Sequence, residues 1–332
     1  MSRRWAAAAA SLILAACATP VVQFGPGIPL TSLPGWGAED HAAAFDAVRT
    51  ACRYRPSMPS VCPDALAAGD LGEGRARAFL ERRLRAEPVN GEGLLTGYFS
   101  PLYDARRQRE GDFTAPVRPA PSNPGGAGDR ASIEARDAPD ALAWMRPEDL
   151  FFLQIQGSGV LDFPSGRSMR AVFAGSNGQP YLAIGQPMLQ RRLFDGEQGS
   201  ARTIHGWLAA HRGRDADAIM RLNRRYVFFR LTPDDGTEPR GAAGVALLPG
   251  RSLAIDPGRH AWGELFWIDG ETPRLAGGRG DYRRLAVALD TGGAIRGEVR
   301  ADLYVGRGEA AGDEAGRVHH TLRLWKLVPA RP

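Results

Sequence analysis

Apolar residues recur at helical spacing over residues 38–88: Ala42, Ala43, Phe45, Val48 and Cys52 share one face, and residues 71–84 predict another helix. Beyond residue 94 the pattern changes. GLLTGYFSPLY is aromatic and broken by Gly97 and Pro101, which predicts a strand running into a turn. Residues 104–130 are polar and rich in Pro, Gly and Arg, a surface loop. FFLQIQGSG (151–159) reads as a strand ending in a turn, MRAVFAG as another strand, and NGQPYLAIG as turn-rich. Helical spacing returns over 200–222 through Ile204, Trp207, Leu208 and Ile219. YVFFRL, VALLPG, SLAID, ELFWID, RLAVALD and ADLYVG then follow as short apolar runs separated by Gly or Pro. Short strands at that spacing predict a barrel or sandwich, and no internal repeat or heptad competes with this reading.

The amino terminus follows different rules. MSRRWAAAAASLILAACATP carries Arg3 and Arg4, a short apolar run and then Cys17, the layout of a secretory signal too short to span a membrane as a helix. Leu14-Ala15-Ala16-Cys17 resembles a bacterial lipobox, in which the cysteine is acylated and becomes the mature amino terminus; the alternative is an ordinary Ala-rich signal cut elsewhere. Acyl chains on Cys17 would hold the protein to outer-membrane lipid, which places the mature chain in the periplasm. A proline-containing tether follows. Cys52 and Cys62 are the other cysteines, and an oxidising compartment permits a disulfide between them, with two free thiols as the alternative.

Length and charge add bounds. At 332 residues, 43% apolar and 24% charged, the chain can bury a substantial core. The formal charge of +5 would suit an anionic partner. Lys326 is the single lysine, however, and no basic tract or zinc-finger spacing accompanies it, so nucleic acid is not an expected partner. No His/Cys cluster has metal-ligand spacing, no cofactor is expected, and His319-His320 reads as a surface turn.

Three aspartates stand at or near the ends of apolar runs: Asp256 in SLAIDPG, Asp290 in AVALDTGG and Asp302 in RADLYVG. A carboxyl group among apolar neighbours is desolvated, its pKa rises, and it becomes suited to general-acid work. An aspartate at a strand end more often serves a turn. Asp290-Thr291-Gly292 spells the aspartic-protease triplet, yet that chemistry needs two such aspartates sharing a proton, and Gly293 follows where a small Ser, Thr or Ala is usual. Cleavage of a sugar–sugar bond fits better, since it needs a protonated carboxyl at the glycosidic oxygen. Tyr98, Phe99, Gln154, Gln156 and Asn177 offer aromatic and amide groups to hold sugars, or equally core and turn groups.

Together LLTGYFSP, DLFFLQIQGSGVLDFPSGRSMRAVFAGSNGQPYLAIG, NRRYVFFR, GRSLAIDPG, LAVALDTGGAIRGEVRADLYVGRGEAAGDEAG and LRLWKLVP resemble the membrane-bound lytic murein transglycosylase A family, over most of the chain after residue 90. The C-terminal part is similar to the 3D domain, whose three aspartates would be Asp256, Asp290 and Asp302. The resemblance implies a mainly β fold: a double-psi β-barrel domain with some N-terminal helices, a second inserted β-domain, and a groove between them. It implies a signal peptide at 1–17, a tether at 18–37, a barrel domain from 38–96 and 229–332, and an insert at 97–228. It implies a monomeric, outer-membrane-anchored enzyme acting on peptidoglycan glycan strands, with other cell-wall enzymes as further partners. The reaction would cut the bond between N-acetylmuramic acid and N-acetylglucosamine without water and leave a 1,6-anhydromuramoyl end. By motif position Asp302 is the acid and then the base, Asp290 supports it, and Asp256 is structural. Thr96, Tyr98, Gln154, Gln156, Ser158, Gly292 and Gly293 would line the groove. Many relatives have an acidic residue where this chain has Ser100, and WGELFWIDG departs from the family wording, as a local loop change would. A non-catalytic glycan-binding lipoprotein and a hydrolytic muramidase are the alternatives.

Overall fold

The computed structural model describes residues 27–54, 58–194, 201–273 and 282–330; Cys17 and the lipobox lie outside them. A short strand β1 (Ile28–Pro29) leads to helices α1 (His41–Tyr54), α2 (Cys62–Ala67) and α3 (Glu73–Arg83). The Asp40 carboxylate caps α1 by accepting the Ala43 amide at 2.9 Å. The buried face of α1 is His41, Ala44, Phe45, Ala47, Val48, Ala51 and Cys52, so Ala42 and Ala43 lie off it. His41 takes the inward place because its ring packs edge-on against Trp36 while Nδ1 meets the Glu73 carboxylate. Cys52 and Cys62 form a disulfide that ties α1 to α2, with Cα atoms 5.2 Å apart.

Strand β2 (Leu84–Ser100) is 17 residues long and belongs to the barrel. Its partners come from the other end of the chain: β9 (Ser252–Ala254), β10 (Leu265–Pro273), β11 (Tyr282–Asp290), β12 (Arg300–Arg307) and β13 (His319–Pro329). The sheet runs β1-β2-β12-β9-β11-β10-β13, and β13 pairs back onto β2, closing six strands into a ring. The parallel pairs β2/β12 and β9/β11 lie within otherwise antiparallel neighbours, in keeping with a double-psi barrel. Within WGELFWIDG, residues 265–270 are buried and begin β10 as the apolar run predicts, while residues 262–264 turn the chain into the strand.

Alternation sets the two faces of the wall. Leu95, Leu253, Ile255, Phe266, Ile268, Ala286, Ala288, Ala301 and Leu303 fill the interior with Leu322 and Leu324. Leu265, Trp267, Leu285, Val287 and Leu289 point the other way, into the core made by α1 to α3. His319-His320 is not a surface turn: both residues begin β13, and His320 is fully buried against the Tyr282 ring, because strand pairing with β2 carries them inward. VALLPG forms no strand; Arg240 and Ala246 make an isolated bridge, and proline and glycine then turn the chain into β9. A short helix α9 (Gly308–Ala315) joins β12 to β13, and the Phe99 ring packs on its Gly312.

Between β2 and β9 the chain builds a second body. Strands β3 (Leu102–Asp104), β6 (Ser158–Asp162), β7 (Ser168–Ser176) and β8 (Val227–Pro233) form a four-stranded sheet in that order. Strands β4 (Ala115–Val117) and β5 (Ala143–Met145) form a ribbon, with helix α4 (Arg130–Glu134) between them. FFLQIQ is helical, not extended: α5 (Pro147–Gln156) has proline in its first turn, Glu148 and Asp149 beside it, and Gly157 at φ 79° ending it. It buries Phe151, Leu153 and Gln154 on several sides, which is why its apolar run lacks a clean helical stripe. Helices α6 (Gly185–Gln190), α7 (Ala201–Ala210) and α8 (Arg214–Met220) complete a satellite core around Met188, Leu208 and Ile219.

The two bodies are pinned by one carboxylate. Asp234, just past β8, accepts from Arg170 of β7 at 2.8 Å and from Arg307 of β12 at 2.5 Å. Both arginines and the aspartate are mostly buried, and together they hold the Asp234 carboxyl below its usual range despite burial. For the helical layer, replacing Cys52 and Cys62 by alanine should cost about 2–3 kcal/mol of stability, the loop-closure entropy of a short cross-link. Urea unfolding of the oxidised protein against the double variant measures it.

Candidate active site

The register of three strands assembles the centre of the site. Asp302 of β12 pairs with Thr96 of β2 on one side and with Ala254 of β9 on the other. Ala254 also pairs with Asp290 of β11, where a bulge after Ala288 brings Asp290 rather than Leu289 into place. Directly paired residues share a face, so Thr96, Asp302, Ala254 and Asp290 all point outward from the barrel, toward the second body. Asp302, Ala254 and Asp290 floor a cleft of about 440 Å³ whose opposite wall comes from α5, β7 and the segment before β8.

The two aspartates differ in their partners. Asp290 accepts from the Tyr98 hydroxyl at 2.8 Å and from the backbone amides of Ala242 and Thr291, each at 2.9 Å. Burial pushes its carboxyl upward against those three bonds. Asp302 is deeper and accepts one hydrogen bond, from the Thr96 hydroxyl at 2.5 Å. Burial pushes Asp302 up; the Thr96 bond and the Arg300 charge oppose this, and the charge of Asp290 adds to it. With three donors against one, Asp290 is the better-stabilised anion of the pair. The Thr96 oxygen in turn receives Arg300 Nη2 at 2.9 Å, which directs its hydroxyl hydrogen toward Asp302.

The other expected residues divide. Tyr98, Gln154, Gln156, Gly292 and Gly293 line the cleft, whereas Thr96 reaches it through Asp302. Gln154 Nε2 donates to the Val227 carbonyl at 3.2 Å, while its Oε1 and that of Gln156 are buried without a partner among the described residues. Ser158 opens β6, opposite Val172, and is not part of the lining. Asn177 holds the second body together: its amide donates to the Gly128 and Arg224 carbonyls and accepts the Tyr226 amide. Asp256 lies away from the cleft, accepts the Gly258 and Gly297 amides, and has its carboxyl lowered, not raised, by those bonds. Half-buried two residues past β9, it is desolvated too little to offset those bonds.

Sequence reading missed Ala254, Arg300, Tyr181 and Phe173 in the cleft. Arg300 stands two residues before Asp302, so adjacency alone could have signalled it; Tyr181 sits within NGQPYLAIG, where its turn neighbours hide it. Burial and the charge of Asp302 push the Tyr181 phenol up.

A closed barrel with a buried carboxyl pair facing an inserted second body defines a protein built from two family modules. Residues 94–230 match the family model described as the MltA specific insert domain, and residues 251–328 match the 3D domain. The membrane-bound lytic murein transglycosylase A of Escherichia coli K12 is 34% identical over 274 residues, covering 80% of this chain and 73% of that protein. The chain belongs to that family. Among solved structures, a membrane-bound lytic murein transglycosylase from Agrobacterium tumefaciens superposes with a TM-score of 0.79 at 28% identity, covering 91% of this chain and 97% of that one. E. coli MltA with bound chitohexaose superposes at 0.73, also 28% identical, with 92% of each chain covered.

A raised carboxyl pKa has a sign in stability. Between the unfolded and folded pKa values the folded protein holds a proton that the unfolded chain has released, so stability falls as pH rises through that window and is then flat. Asp302→Asn removes the dependence. Its melting temperature relative to the wild type should therefore rise from acidic to neutral pH, which calorimetry across that range measures.

Proposed function

We propose that this protein is a peptidoglycan lytic transglycosylase in which Asp302 acts first as acid and then as base. The observation that carries the reading is the placement of Asp302: half-buried at the cleft floor, its carboxyl raised, and reached by one short hydrogen bond from Thr96. The family relationship and the chitohexaose complex of the E. coli relative support the substrate class.

In the proposed reaction the Asp302 carboxyl gives its proton to the oxygen joining muramoyl C1 to the next N-acetylglucosamine. That C–O bond breaks and the glucosamine end leaves as an alcohol. The resulting Asp302 carboxylate accepts the proton of the muramoyl C6 hydroxyl as that oxygen closes on C1, giving the 1,6-anhydro end. One proton leaves Asp302 and one returns, and no water is consumed. The nucleophile belongs to the same sugar, so proximity supplies much of the rate. Asp290, two strands away across Ala254, remains anionic and favours the positive charge that develops at C1. Gln154 and Gln156 offer their unpaired oxygens to sugar hydroxyl or amide hydrogens. A hydrolytic muramidase would use Asp290 as its second carboxylate, and product chemistry separates the two.

The proposal extends to location. No helix of the described residues is long and apolar enough to cross a membrane. Acylation of Cys17 would anchor the chain to the periplasmic face of the outer membrane, and Cys17→Ala should move it from the membrane to the soluble fraction on fractionation of cells.

Asp302→Asn should lower cleavage of purified sacculi by roughly 10²–10⁴-fold, the usual worth of a positioned general acid, while preserving the fold. Mass spectrometry of the wild-type products should show anhydromuramoyl ends; reducing ends would mean that water is the acceptor. Activity should fall on the alkaline side as Asp302 loses its proton. Thr96→Val deletes a bond that favours the charged form, so it should shift that limb to higher pH in a pH–rate profile.

A further inference from the structure

The cleft carries positive charge that the proposed acid–base chemistry does not use. Arg225, immediately before β8, reaches the cleft from the second body, and a Cβ added to Gly293 would lie 3.8 Å from its Cζ. Its guanidinium therefore sits over the Gly292–Gly293 turn. It makes one long hydrogen bond, Nη1 to the Gln179 carbonyl at 3.4 Å. Arg296 of the β11–β12 connection is exposed and lines the adjoining recess; it donates through Nη1 to the Gly292 and Ile295 carbonyls, which leaves Nη2 and Nε without a protein acceptor among the described residues. Neither arginine forms an ion pair with a carboxylate of the described residues. Arg296 lies near enough to Asp256 to lower its carboxyl, but that carboxylate is occupied by the Gly258 and Gly297 amides. Glu92 and Glu298 share a neighbouring recess with Arg296 and do not pair with it.

Two guanidiniums thus flank the Gly292–Gly293 turn, Arg225 inside the cleft and Arg296 at the recess that adjoins it. Burial lowers the Arg225 pKa, and the charge of Arg296 lowers it further. Such an arrangement is costly empty and favourable around an anion, because each planar fork can donate to a carboxylate. Resting on the peptidoglycan reading above, we propose that Arg225 and Arg296 form a carboxylate clamp that recognises the acidic substituent of the muramoyl sugar. That substituent is a lactyl group, which presents its own carboxylate when bare and the carboxylates of a stem peptide when substituted. The clamp selects muramoyl glycan over a neutral N-acetylglucosamine polymer and fixes which sugar of the alternating strand lies next to Asp302.

Calorimetric binding tests this in the Asp302→Asn background, which stops turnover. Three probes are used: chitohexaose, which is uncharged; a glycan of alternating glucosamine and muramic acid with free lactyl carboxylates; and the same glycan bearing stem peptides. The expected result is that both acidic glycans bind more tightly than chitohexaose and weaken with added salt. Arg225→Gln with Arg296→Gln should cost an acidic glycan about tenfold in affinity, the scale of a partly exposed charge-assisted contact, and leave chitohexaose unchanged. Arg225→Lys with Arg296→Lys, which retains the charges, should recover part of the loss. A loss on the peptide-free glycan assigns the clamp to the lactyl carboxylate; a loss only on the peptide-bearing glycan assigns it to the stem. Equal loss on chitohexaose would show that the arginines shape the cleft without reading charge, and no loss on either acidic glycan would also overturn the clamp. Absence of binding to all three probes before any arginine is changed would overturn the peptidoglycan reading itself.

Discussion

The parallel register of β12 on β2 is the constraint on which the rest depends. It sets Thr96 against Asp302 and Tyr98 against Tyr304, and through Tyr98 it also supplies a donor to Asp290. A slip of one residue would turn Asp302 into the barrel interior and carry Ala301 and Leu303 out of it. The apolar residues on either side of Asp302 therefore hold the register: their burial makes the alternative pairing unfavourable. The same strand β2 closes the ring against β13, so barrel closure and placement of the acid are one structural event.

Burying two carboxyl groups side by side is unfavourable unless their environments diverge. The structure separates them by backbone geometry more than by side-chain charge. The bulge in β11 aims Asp290 at two amides and a phenol, whereas Asp302 in regular strand geometry finds one hydroxyl. Elsewhere, buried charge is compensated directly: Glu39 is bonded to Arg251 and the Leu285 amide, and Arg130 donates to the Asn223 and Arg225 carbonyls. The cleft is where compensation is left incomplete, with the oxygens of Gln154 and Gln156 unanswered by the described residues.

Much of this was legible in the chain, for physical reasons. Continuous apolar runs in ELFWID, RLAVALD and ADLYVG marked strands buried on both faces, and Asp302 was conspicuous as a carboxylate beside such a run. Resemblance added the barrel and insert, which periodicity cannot reach because strand order is a long-range property. FFLQIQ misled because a helix buried on several sides shows no polar stripe, although Pro147 and Gly157 marked its ends. Asn177 looked like a sugar ligand and proved a strut; amides serve both uses, and only the neighbouring carbonyls decide. Ala254 was invisible for the opposite reason, since its importance lies in being small between two aspartates.

The hydrogen bond from Thr96 to Asp302 spans 206 residues of chain. During synthesis the helices and β2 emerge first, then the whole second body, and only afterwards the strand that bears the acid. A growing chain thus holds half of the reacting centre for most of its elongation, and the other half cannot be templated locally. The floor of the cleft is therefore among the last features the polypeptide assembles, complete only when the ring closes.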